Sequence, residues 1–381
     1  MHVLNVNVLL DPVSGGGTAE RTFQMSLSLV RAGVQCTILS TDIGITAERT
    51  QQLGDVRLIT LPCIWKRFFV VKFSWRHLKD LVASVDVIHL MGHWSMLNVL
   101  VAHLARQTGT PYVVCPAGEL SLFGRSRSIK QLFNFLVGYR TVRGAAGHIA
   151  VTPDEIPAYE RYGVEAQQVT VIANGINETN FSANGSNQFM QSLGLGSKPF
   201  ILFMGRLNPI KGPDLLLEAF CLIANKYSEL HLVFAGPNGG LLDSLEKVTI
   251  EQRLTDRVHF IGYISGRDKT EAYIAAQFLV IPSRQEAMSI VVLEAGIVGT
   301  PVLLTNRCGF DAVAQIGGGE VVSPTGVDLA AGLDRMLKNQ AARNSMGASL
   351  KSYVRQHFIW EVIVERLLDL YQQIIARKSK G

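Results

Sequence analysis

The sequence has few cysteines, and their positions exclude two classes of protein. Its 381 residues include five cysteines, an odd number, and none belongs to a C-x-x-C pair. A disulfide framework needs partners for its cysteines, and a structural zinc site needs ligands at close spacing. We therefore predict free thiols in or near the core, at Cys36, Cys63, Cys115, Cys221 and Cys308.

Long apolar runs are also missing. No stretch of about 18 consecutive apolar residues occurs. The first residues, MHVLNVNVLLDP, lack the basic start and the small-residue cleavage site of a signal peptide. These absences predict a cytoplasmic protein without a membrane span. The length is sufficient for two domains, and the content of 48% hydrophobic and 18% charged residues is ordinary for a globular protein.

Neither sign of charge dominates. The chain has 36 basic and 31 acidic residues, a net charge of +5, and a pI near 8.9. This mild excess is compatible with phosphorylated ligands or an anionic surface. No nucleic-acid-binding motif is present, so we expect no nucleic acid partner. The sequence also lacks a D-x-D motif for a metal–nucleotide site, and we expect neither a metal nor another cofactor.

The most informative stretch runs from Phe278 to Val302. An apolar run, Phe278 to Ile281, predicts a buried parallel strand, and Pro282-Ser283 ends it. An apolar helix is predicted from about Ser289 to the stop at Gly299-Thr300-Pro301. The result is one strand–loop–helix–strand unit.

Two glutamates frame the start of that predicted helix. With Ser289 as N-cap, the amides of the next residues form an anion site. Glu286 precedes the helix, and Glu294 lies about 7 Å along its axis at 1.5 Å per residue. A nucleotide sugar, with phosphates between two hydroxylated rings, fits this arrangement. The alternative is that Glu286 only favours the helix start and Glu294 is an exposed helix residue.

Two motifs carry a resemblance to a known family. The stretch PSRQEAMSIVVLEAGIVGTPV resembles the signature of the retaining glycosyltransferases of family 4, whose usual EGFG is here Glu286-Ala287-Met288-Ser289. GRLNPIKGPDLLLEAF is similar to the family pattern GRLxxxKGxxxLLxAF. It places Arg206 and Lys211 in a strand-to-helix loop, where a guanidinium fork and an ammonium group can hold a diphosphate.

The first strand, Val3 to Leu10, leads into a glycine loop at Asp11 to Glu20 and then a helix through Arg31. Gly16 and Gly17 suggest a phosphate cradle, because glycines let backbone amides approach an anion closely. The dinucleotide fingerprint fails, since Glu20 stands where Gly or Ala is required. A simple tight turn is the alternative.

A second pair of stretches extends the resemblance. DVIHLMGHWS and PYVVCPAGEL are similar to the family forms DIIHLHGLWS and PYVVTPHGML, with Met91 and Ala117 in place of two histidines. The second of these histidines lies near the transferred sugar in many relatives. Ligands of open α/β sheets bind beyond the carboxyl ends of the strands. We therefore predict acceptor-side roles, or else structural ones, for His93, Trp94 and Glu119.

Residues 65–79, WKRFFVVKFSWRHLK, combine five basic residues and five aromatics with no acid. The bases can rest on anionic head groups while the aromatics enter the interface. An ordinary segment with its aromatics packed inward is the alternative.

The resemblance implies the GT-B architecture, an α/β fold of two Rossmann-like, doubly wound domains facing a central cleft. We predict an N-terminal acceptor-binding domain (1–180), a nucleotide-sugar-binding domain (188–355) and a last helix crossing back (356–381), with a linker near 177–187. The implied activity is retaining, metal-independent transfer of a hexose to a saccharide acceptor. We expect this acceptor to be lipid-linked, as in polysaccharide or glycolipid biosynthesis, and the protein to be cytoplasmic and able to lie on the membrane surface.

The resemblance also assigns residues. Arg206 and Lys211 would stabilise the leaving diphosphate, and Glu286 would hold the sugar and support charge at its anomeric carbon. Relatives place the base against the backbone of the loop at Tyr263 and Ile264. A nucleotide-sugar-binding protein without transfer activity is the alternative, and an epimerase is a weaker one. The predicted donor-binding residues are Gly16, Gly17, Arg206, Lys211, Tyr263, Ile264, Glu286, Met288, Ser289, Ile290, Val291 and Glu294.

Overall fold

A computed structural model describes residues 1–121, 127–182 and 188–378 of the chain. It divides into two compact units, which we call unit 1 (1–175 and 360–381) and unit 2 (176–359). The predicted boundaries after residue 180 and before residue 356 lie a few residues from these. The second part of the predicted linker, from residue 183 to 187, lies outside the described residues.

Unit 1 contains a seven-stranded parallel sheet in the order β3-β2-β1-β6-β7-β8-β9. Strands β4 and β5 form a separate antiparallel pair. Strands β6 and β7 are completely buried and β1 is buried from Val3 to Val6, as expected of a sheet covered on both faces. The strands are β1 (His2–Val6), β2 (Gln35–Thr41), β3 (Arg57–Leu61), β4 (Cys63–Trp65), β5 (Val70–Val71), β6 (Val87–Met91), β7 (Tyr112–Cys115), β8 (Gly147–Ala150) and β9 (Val169–Val171).

Helices cover this sheet, and the last helix of the chain belongs to the same unit. Tyr371 of that helix is fully buried, and its hydroxyl lies 2.6 Å from Nδ1 of His89 in β6. The described helices are α1 (Pro12–Arg31), α2 (Ala47–Gln51), α3 (Trp75–Ala83), α4 (Met96–Thr108), α5 (Arg127–Phe133), α6 (Tyr139–Arg143), α7 (Ile156–Arg161) and, after unit 2, α16 (Trp360–Lys378). A π-helical turn (Asn134–Gly138) joins α5 to α6.

Unit 2 contains a six-stranded parallel sheet in the order β12-β11-β10-β13-β14-β15. Its strands are β10 (Phe200–Met204), β11 (His231–Ala235), β12 (Val258–Gly262), β13 (Leu279–Ile281), β14 (Val302–Thr305) and β15 (Gly319–Val322). Its described helices are α8 (Gln188–Ser192), α9 (Pro213–Ile223), α10 (Leu242–Glu251), α11 (Gly266–Ala275), α12 (Ile290–Val298), α13 (Ala312–Gln315), α14 (Gly326–Lys338) and α15 (Gln340–His357).

The two doubly wound sheets confirm the predicted GT-B class of fold. One local prediction was wrong, because the glycine segment at 11–20 is not a loop. Asp11 caps α1 by accepting hydrogen bonds from the amides of Val13 and Ser14, and Pro12 supplies the first helical residue. The helix is interrupted only at Gly16, whose φ of 59° is open to glycine at little cost.

Among the described residues, no helix is long and apolar enough to cross a membrane.

Candidate functional site

The strand order of each sheet shows where a ligand site is to be expected. In unit 2 the chain builds β10, β11 and β12 toward one edge and then returns to place β13 on the other side of β10. The loops after β10 and β13 therefore leave the sheet in opposite directions and open a crevice between them, where open α/β sheets bind ligands. These two loops contain Arg206, Lys211 and Glu286.

A direct ion pair joins the two loops. Lys211 Nζ lies 2.7 Å from Glu286 Oε2, and the Lys211 side chain is 35% exposed while that of Glu286 is 8% exposed. The second carboxylate oxygen of Glu286 accepts a hydrogen bond from Ser283 Oγ. The backbone amide of Lys211 is held by Asn208 Oδ1 at 2.9 Å. The structure thus brings together one predicted cation and one predicted carboxylate that are 75 residues apart.

Gly212 allows the close approach of these loops. Its φ is +68°, and a Cβ atom there would lie 2.2 Å from the carbonyl oxygen of Pro282. Any other residue would meet both backbone strain and a steric clash with the β13 loop. The glycine in the family-like K-G pair is therefore required by the packing of the two loops.

Arg206 lies near the start of the β10 loop, whereas Lys211 lies near its end. It is half-buried, and a Cβ at Gly239 would lie 2.7 Å from its Cγ, so its stem crosses the loop after β11. Leu207, the next residue, forms a parallel bridge with Asn238. The backbone of the β11 loop thus positions the stem that carries the guanidinium group.

The start of α12 agrees with the prediction in position but not in capping. Ser289 is the N-cap residue and Gly299 ends the helix with φ +88°. The Ser289 side chain forms no capping hydrogen bond, and its backbone amide donates to the carbonyl of Cys308 at 3.1 Å. Its hydroxyl is fully buried and forms no hydrogen bond with the part of the chain that the structure describes. This unpaired polar atom lies at the positive end of the α12 dipole.

Glu294 has partners that sequence reasoning missed. It is buried rather than an exposed helix residue. Its Oε1 lies 2.5 Å from Lys269 Nζ, and its Oε2 accepts a 2.6 Å hydrogen bond from the Tyr273 hydroxyl. Burial and the nearby Glu294 carboxylate raise the pKa of Tyr273 well above its ordinary value. Lys269 and Tyr273 stand four apart on α11, a spacing that places both on one helix face.

The remaining predicted donor residues of unit 2 lie beyond the carboxyl ends of strands in the same sheet. Tyr263 and Ile264 directly follow β12, and Tyr263 is exposed. Met288 is buried beside Ser289, while Ile290 and Val291 open α12 and are half-buried. Sequence reasoning also missed Arg284 in the β13 loop, which forms a bidentate ion pair with Asp214 of α9 at 2.6 and 2.8 Å. That pair ties the loop to the helix after β10.

In unit 1 the strand order reverses between β1 and β6. The segment after β1 leads to Gly16 and Gly17, which lie at the break in α1. Gly17 is exposed and Gly16 half-buried, so their backbone remains accessible within this unit. A Cβ at Gly16 would meet nothing within 4 Å. The Gly16 backbone is therefore open to its surroundings within this unit.

The three predicted acceptor-side residues form one hydrogen-bonded cluster. Glu119 Oε2 accepts from the backbone amides of His93 at 2.5 Å and Trp94 at 3.3 Å. Trp94 Nε1 in turn donates to the carbonyl of Glu119 at 2.9 Å. Burial raises the pKa of the Glu119 carboxyl, and the two amides act against that shift. The cluster joins the loops after β6 and β7.

His93 turns away from the surface. Its Nε2 lies 2.8 Å from Asn134 Oδ1 and 3.3 Å from the Tyr162 hydroxyl, and the residue is 5% exposed. Burial lowers the pKa of His93 to about 4, so its ring is neutral at pH 7. Asn134 and Tyr162 were not predicted, because they come from distant helical segments of the chain.

The two histidine replacements lie close to this cluster. Met91 is buried at the end of β6, and Ala117 follows β7 in a left-handed conformation with φ +50°. The next amide, that of Gly118, donates to the buried carboxyl of Glu155. Burial raises the pKa of Glu155 to about 7, and its Oε1 has no partner among the described residues. Sequence reasoning did not identify Glu155.

Residues 65–79 are mostly exposed rather than packed. They complete the β4–β5 hairpin and begin α3, and the exposed aromatics include Trp65, Phe73 and Trp75. All five basic residues of the stretch are exposed. Within residues 65–79, Phe68, Phe69 and Val70 are partly buried, and Val71 and Leu78 are buried. The alternative of inward-packed aromatics therefore describes Phe68 and Phe69, whereas Trp65, Phe73 and Trp75 are exposed.

No group of three or more His, Cys, Asp or Glu side chains that could hold a metal ion occurs within residues 1–121, 127–182 and 188–378.

Two family models match the chain. The family described as glycosyl transferases group 1 matches residues 186–353, and the glycosyl transferase 4-like domain matches residues 16–175. Together they account for most of the chain, with one model on each half.

The sequence identity to individual relatives is low. The chain is 31% identical over 227 residues to an uncharacterized glycosyltransferase of Methanocaldococcus jannaschii, a match that covers 58% of this chain and 57% of that protein. It is 28% identical over 234 residues to the D-inositol 3-phosphate glycosyltransferase of Salinispora tropica, covering 57% and 48%. The matches thus span about half the length of these relatives.

Among solved structures, HepE of Anabaena in complex with UDP and glucose has a similar fold. The TM-score is 0.79 over 98% of this chain and 100% of that one, at 17% sequence identity. At this identity the likeness establishes the fold alone.

Proposed function

Since the chain belongs to the group 1 glycosyltransferases, we propose that it transfers a sugar from a nucleotide-sugar donor to an acceptor hydroxyl, with retention at the anomeric carbon. The observation that carries this proposal is the Lys211–Glu286 pair at the start of α12, at the switch point of unit 2. A cation, a carboxylate and a helix N-terminus within one crevice match a ligand that carries both phosphates and hydroxyls.

Lys211 would exchange its partner when the donor binds. Its side chain is partly exposed, so it can reach a diphosphate and leave Glu286 free to accept hydrogen bonds from sugar hydroxyls. Arg206 would contact the same diphosphate from the β10 loop. Both cations then stabilise the charge that grows on the leaving group in the transition state. The unpaired Ser289 hydroxyl and the first amides of α12 add donors on the other side.

The retaining reaction needs no strong protein base. The bond from the anomeric carbon to the phosphate oxygen breaks, the bond to the acceptor oxygen forms on the same face, and the departing phosphate takes the acceptor proton. Glu286 supports the positive charge on the anomeric carbon. This route is compatible with Ala117 in place of a histidine and with the inward position of His93.

The reaction is proposed to be independent of metal, since two cations already serve the diphosphate. Activity should survive EDTA, and loss of activity that Mg²⁺ or Mn²⁺ restores would contradict this part of the proposal. The acceptor is proposed to be a lipid-linked saccharide, because the exposed stretch 65–79 combines bases and aromatics.

The test is incubation with UDP-, GDP- and ADP-sugars, with nucleoside diphosphate release as the readout. Solved structures of HepE hold UDP and UDP-glucose, so UDP-glucose is the first donor to test. Release by the wild type, abolished in Arg206→Ala, would support the proposal. Binding in a thermal-shift screen with no release, even slow hydrolysis, would instead favour the second candidate, a nucleotide-sugar-binding protein. That candidate is favoured by Ala117.

A further inference from the structure

Unit 1 has a helical segment with apolar residues on both of its faces. Residues 127–143 form α5, the π-helical turn and α6 in one continuous run. Phe133, Asn134, Gly138 and Val142 face inward and are buried. The opposite face is exposed and apolar, and its members recur at helical spacing: Ile129, Leu132, Phe135, Leu136 and Tyr139.

The exposure of this face is unusually large. Phe135 is 80% exposed and Leu136 63% exposed, and they are adjacent in the sequence. Single exposed apolar residues are normal on a protein surface, but a contiguous set indicates a binding surface. Burial of this face against another surface would remove the cost of its contact with water.

The charge around this face has one sign. From residue 120 to residue 153 the sequence contains no Asp or Glu. Arg127, Arg140 and Arg143 are exposed along the segment, and Lys130 is half-buried with its Nζ 5.1 Å from the centre of the Trp94 ring. An apolar strip with a cationic border matches the boundary between acyl chains and anionic head groups.

The inward side of this segment packs against the exposed stretch 65–79. The Phe133 ring stacks on Phe68 of the hairpin at 6.3 Å, with an interplanar angle of 7°. Phe68 contacts Trp65 at 5.5 Å, and Trp65 is 54% exposed. Residues 56–79 also contain no acid. Two segments distant in sequence thus lie side by side in unit 1, and we call them together the basic apolar face (64–76 and 127–143).

We propose that the basic apolar face binds the surface of an anionic lipid bilayer, with Leu132, Phe135 and Leu136 entering the interface beside Trp65. This inference rests on the proposed function only in that the same membrane would carry the acceptor. An acidic protein is a poorer partner, because bulky apolar side chains with this degree of exposure gain most from an acyl environment.

The experiment is sedimentation with vesicles of phosphatidylcholine alone and of phosphatidylcholine mixed equally with phosphatidylglycerol, at low and high salt. Wild type should bind the mixed vesicles only, and salt should weaken the binding. The double variant Phe135→Ser/Leu136→Ser should bind at least about tenfold more weakly, since several methylene groups no longer enter the interface.

A matched control is available in unit 2. Ile250 and Val327 are 64% and 68% exposed on α10 and α14, so Ile250→Ser/Val327→Ser removes a similar exposed apolar area elsewhere. This variant should bind as wild type does. Circular dichroism and thermal unfolding would verify that both double variants are folded. Equal binding of wild type and Phe135→Ser/Leu136→Ser would overturn the inference, as would equal binding to both kinds of vesicle.

Failure of this inference is separable from failure of the proposed function. Donor hydrolysis by the wild type is measured without vesicles, so it reports on the transferase proposal alone. Hydrolysis without vesicle binding would overturn the proposal that the basic apolar face binds a membrane and would leave the transferase proposal standing. Loss of binding on Arg127→Gln/Arg140→Gln, with no loss in Phe135→Ser/Leu136→Ser, would also overturn it, because the apolar side chains would then not enter the interface.

Discussion

In unit 2 the Lys211 side chain, which follows β10, remains partly exposed, whereas in unit 1 the His93 side chain, which follows β6, turns inward. Lys211 keeps a third of its side chain exposed while paired with Glu286. His93 is buried, and the carboxylate of Glu119 accepts hydrogen bonds from two backbone amides. Both units have a strand-order reversal, so topology alone does not decide whether polar groups at a switch point serve a ligand or the fold.

The comparison also concerns the surfaces. The exposed chemistry of unit 1 is the apolar and basic face of 64–76 and 127–143, whereas the candidate chemistry of unit 2 is charged and lies in a crevice. A charged crevice suits a small phosphorylated ligand, and an exposed apolar face suits a large partner. Under the two proposals, unit 2 binds its ligand in a crevice and unit 1 binds its partner on an exposed surface.

The largest expected effect is on the cations of unit 2. Arg206→Ala and Lys211→Ala should each lower kcat by about 10²-fold or more, because preorganised charge on a leaving group acts mainly in the transition state. Steady-state nucleoside diphosphate release measures this. Lys226→Ala, which removes an exposed cation paired with Asp334, is the control and should leave turnover unchanged. Near-normal kcat in either site variant would contradict the diphosphate role of that cation, and the contrast between a ligand-binding loop in unit 2 and a structural one in unit 1 would fail.

Next in size is the structural role of Glu119 in unit 1. Glu119→Ala should lower the free energy of unfolding by about 2–3 kcal/mol, because the amides of His93 and Trp94 lose their acceptor. Chemical denaturation measures this, with the exposed Glu160→Ala as control. Wild-type stability with a large loss of activity would show that Glu119 serves the acceptor and not the fold.

Glu155 should make the stability of unit 1 depend on pH. Its folded-state pKa of about 7 lies above the ordinary value of 4.5. Its contribution is therefore fully present below about pH 4.5 and is lost as the pH rises through about 7, at a total cost on the order of 3 kcal/mol.

Thermal unfolding from pH 5 to pH 8 tests the role of Glu155. Glu155→Gln should remove this part of the pH dependence, because the amide cannot ionise. Asp154→Asn, at the exposed neighbouring position, should retain it. Identical pH profiles for wild type and Glu155→Gln would mean that the carboxyl is not desolvated.

The smallest expected effect is that of Glu294 in unit 2. Glu294→Gln should raise KM for the donor by about tenfold, roughly 1.4 kcal/mol, with a smaller change in kcat, if Glu294 holds the ribose. Glu251→Gln, on the exposed face of α10, is the control. A fall in stability with unchanged KM would instead assign Glu294 wholly to its contacts with Lys269 and Tyr273.

Much of the local structure was predictable from the sequence. β13 lies within the predicted strand Phe278 to Ile281, and α12 begins after Ser289 and ends at Gly299 as expected. Apolar runs, N-cap residues and left-handed glycines act within a few residues of chain, so their effect can be read locally. The glycine segment at 11–20 was mispredicted because the cap at Asp11 was overlooked and the glycines were given too much weight.

The sequence by itself determined the α/β class, the strand-to-helix loops and the chemical types of the candidate residues, because these follow from short-range periodicity and from the motifs. Only the tertiary structure decided which of these residues meet. In the structure Lys211 pairs with Glu286, and Glu294 contacts Lys269 and Tyr273. His93 contacts Asn134, and Phe68 stacks on Phe133. Such contacts depend on strand order and loop approach, which are set by the burial of whole sheet faces rather than by neighbouring residues.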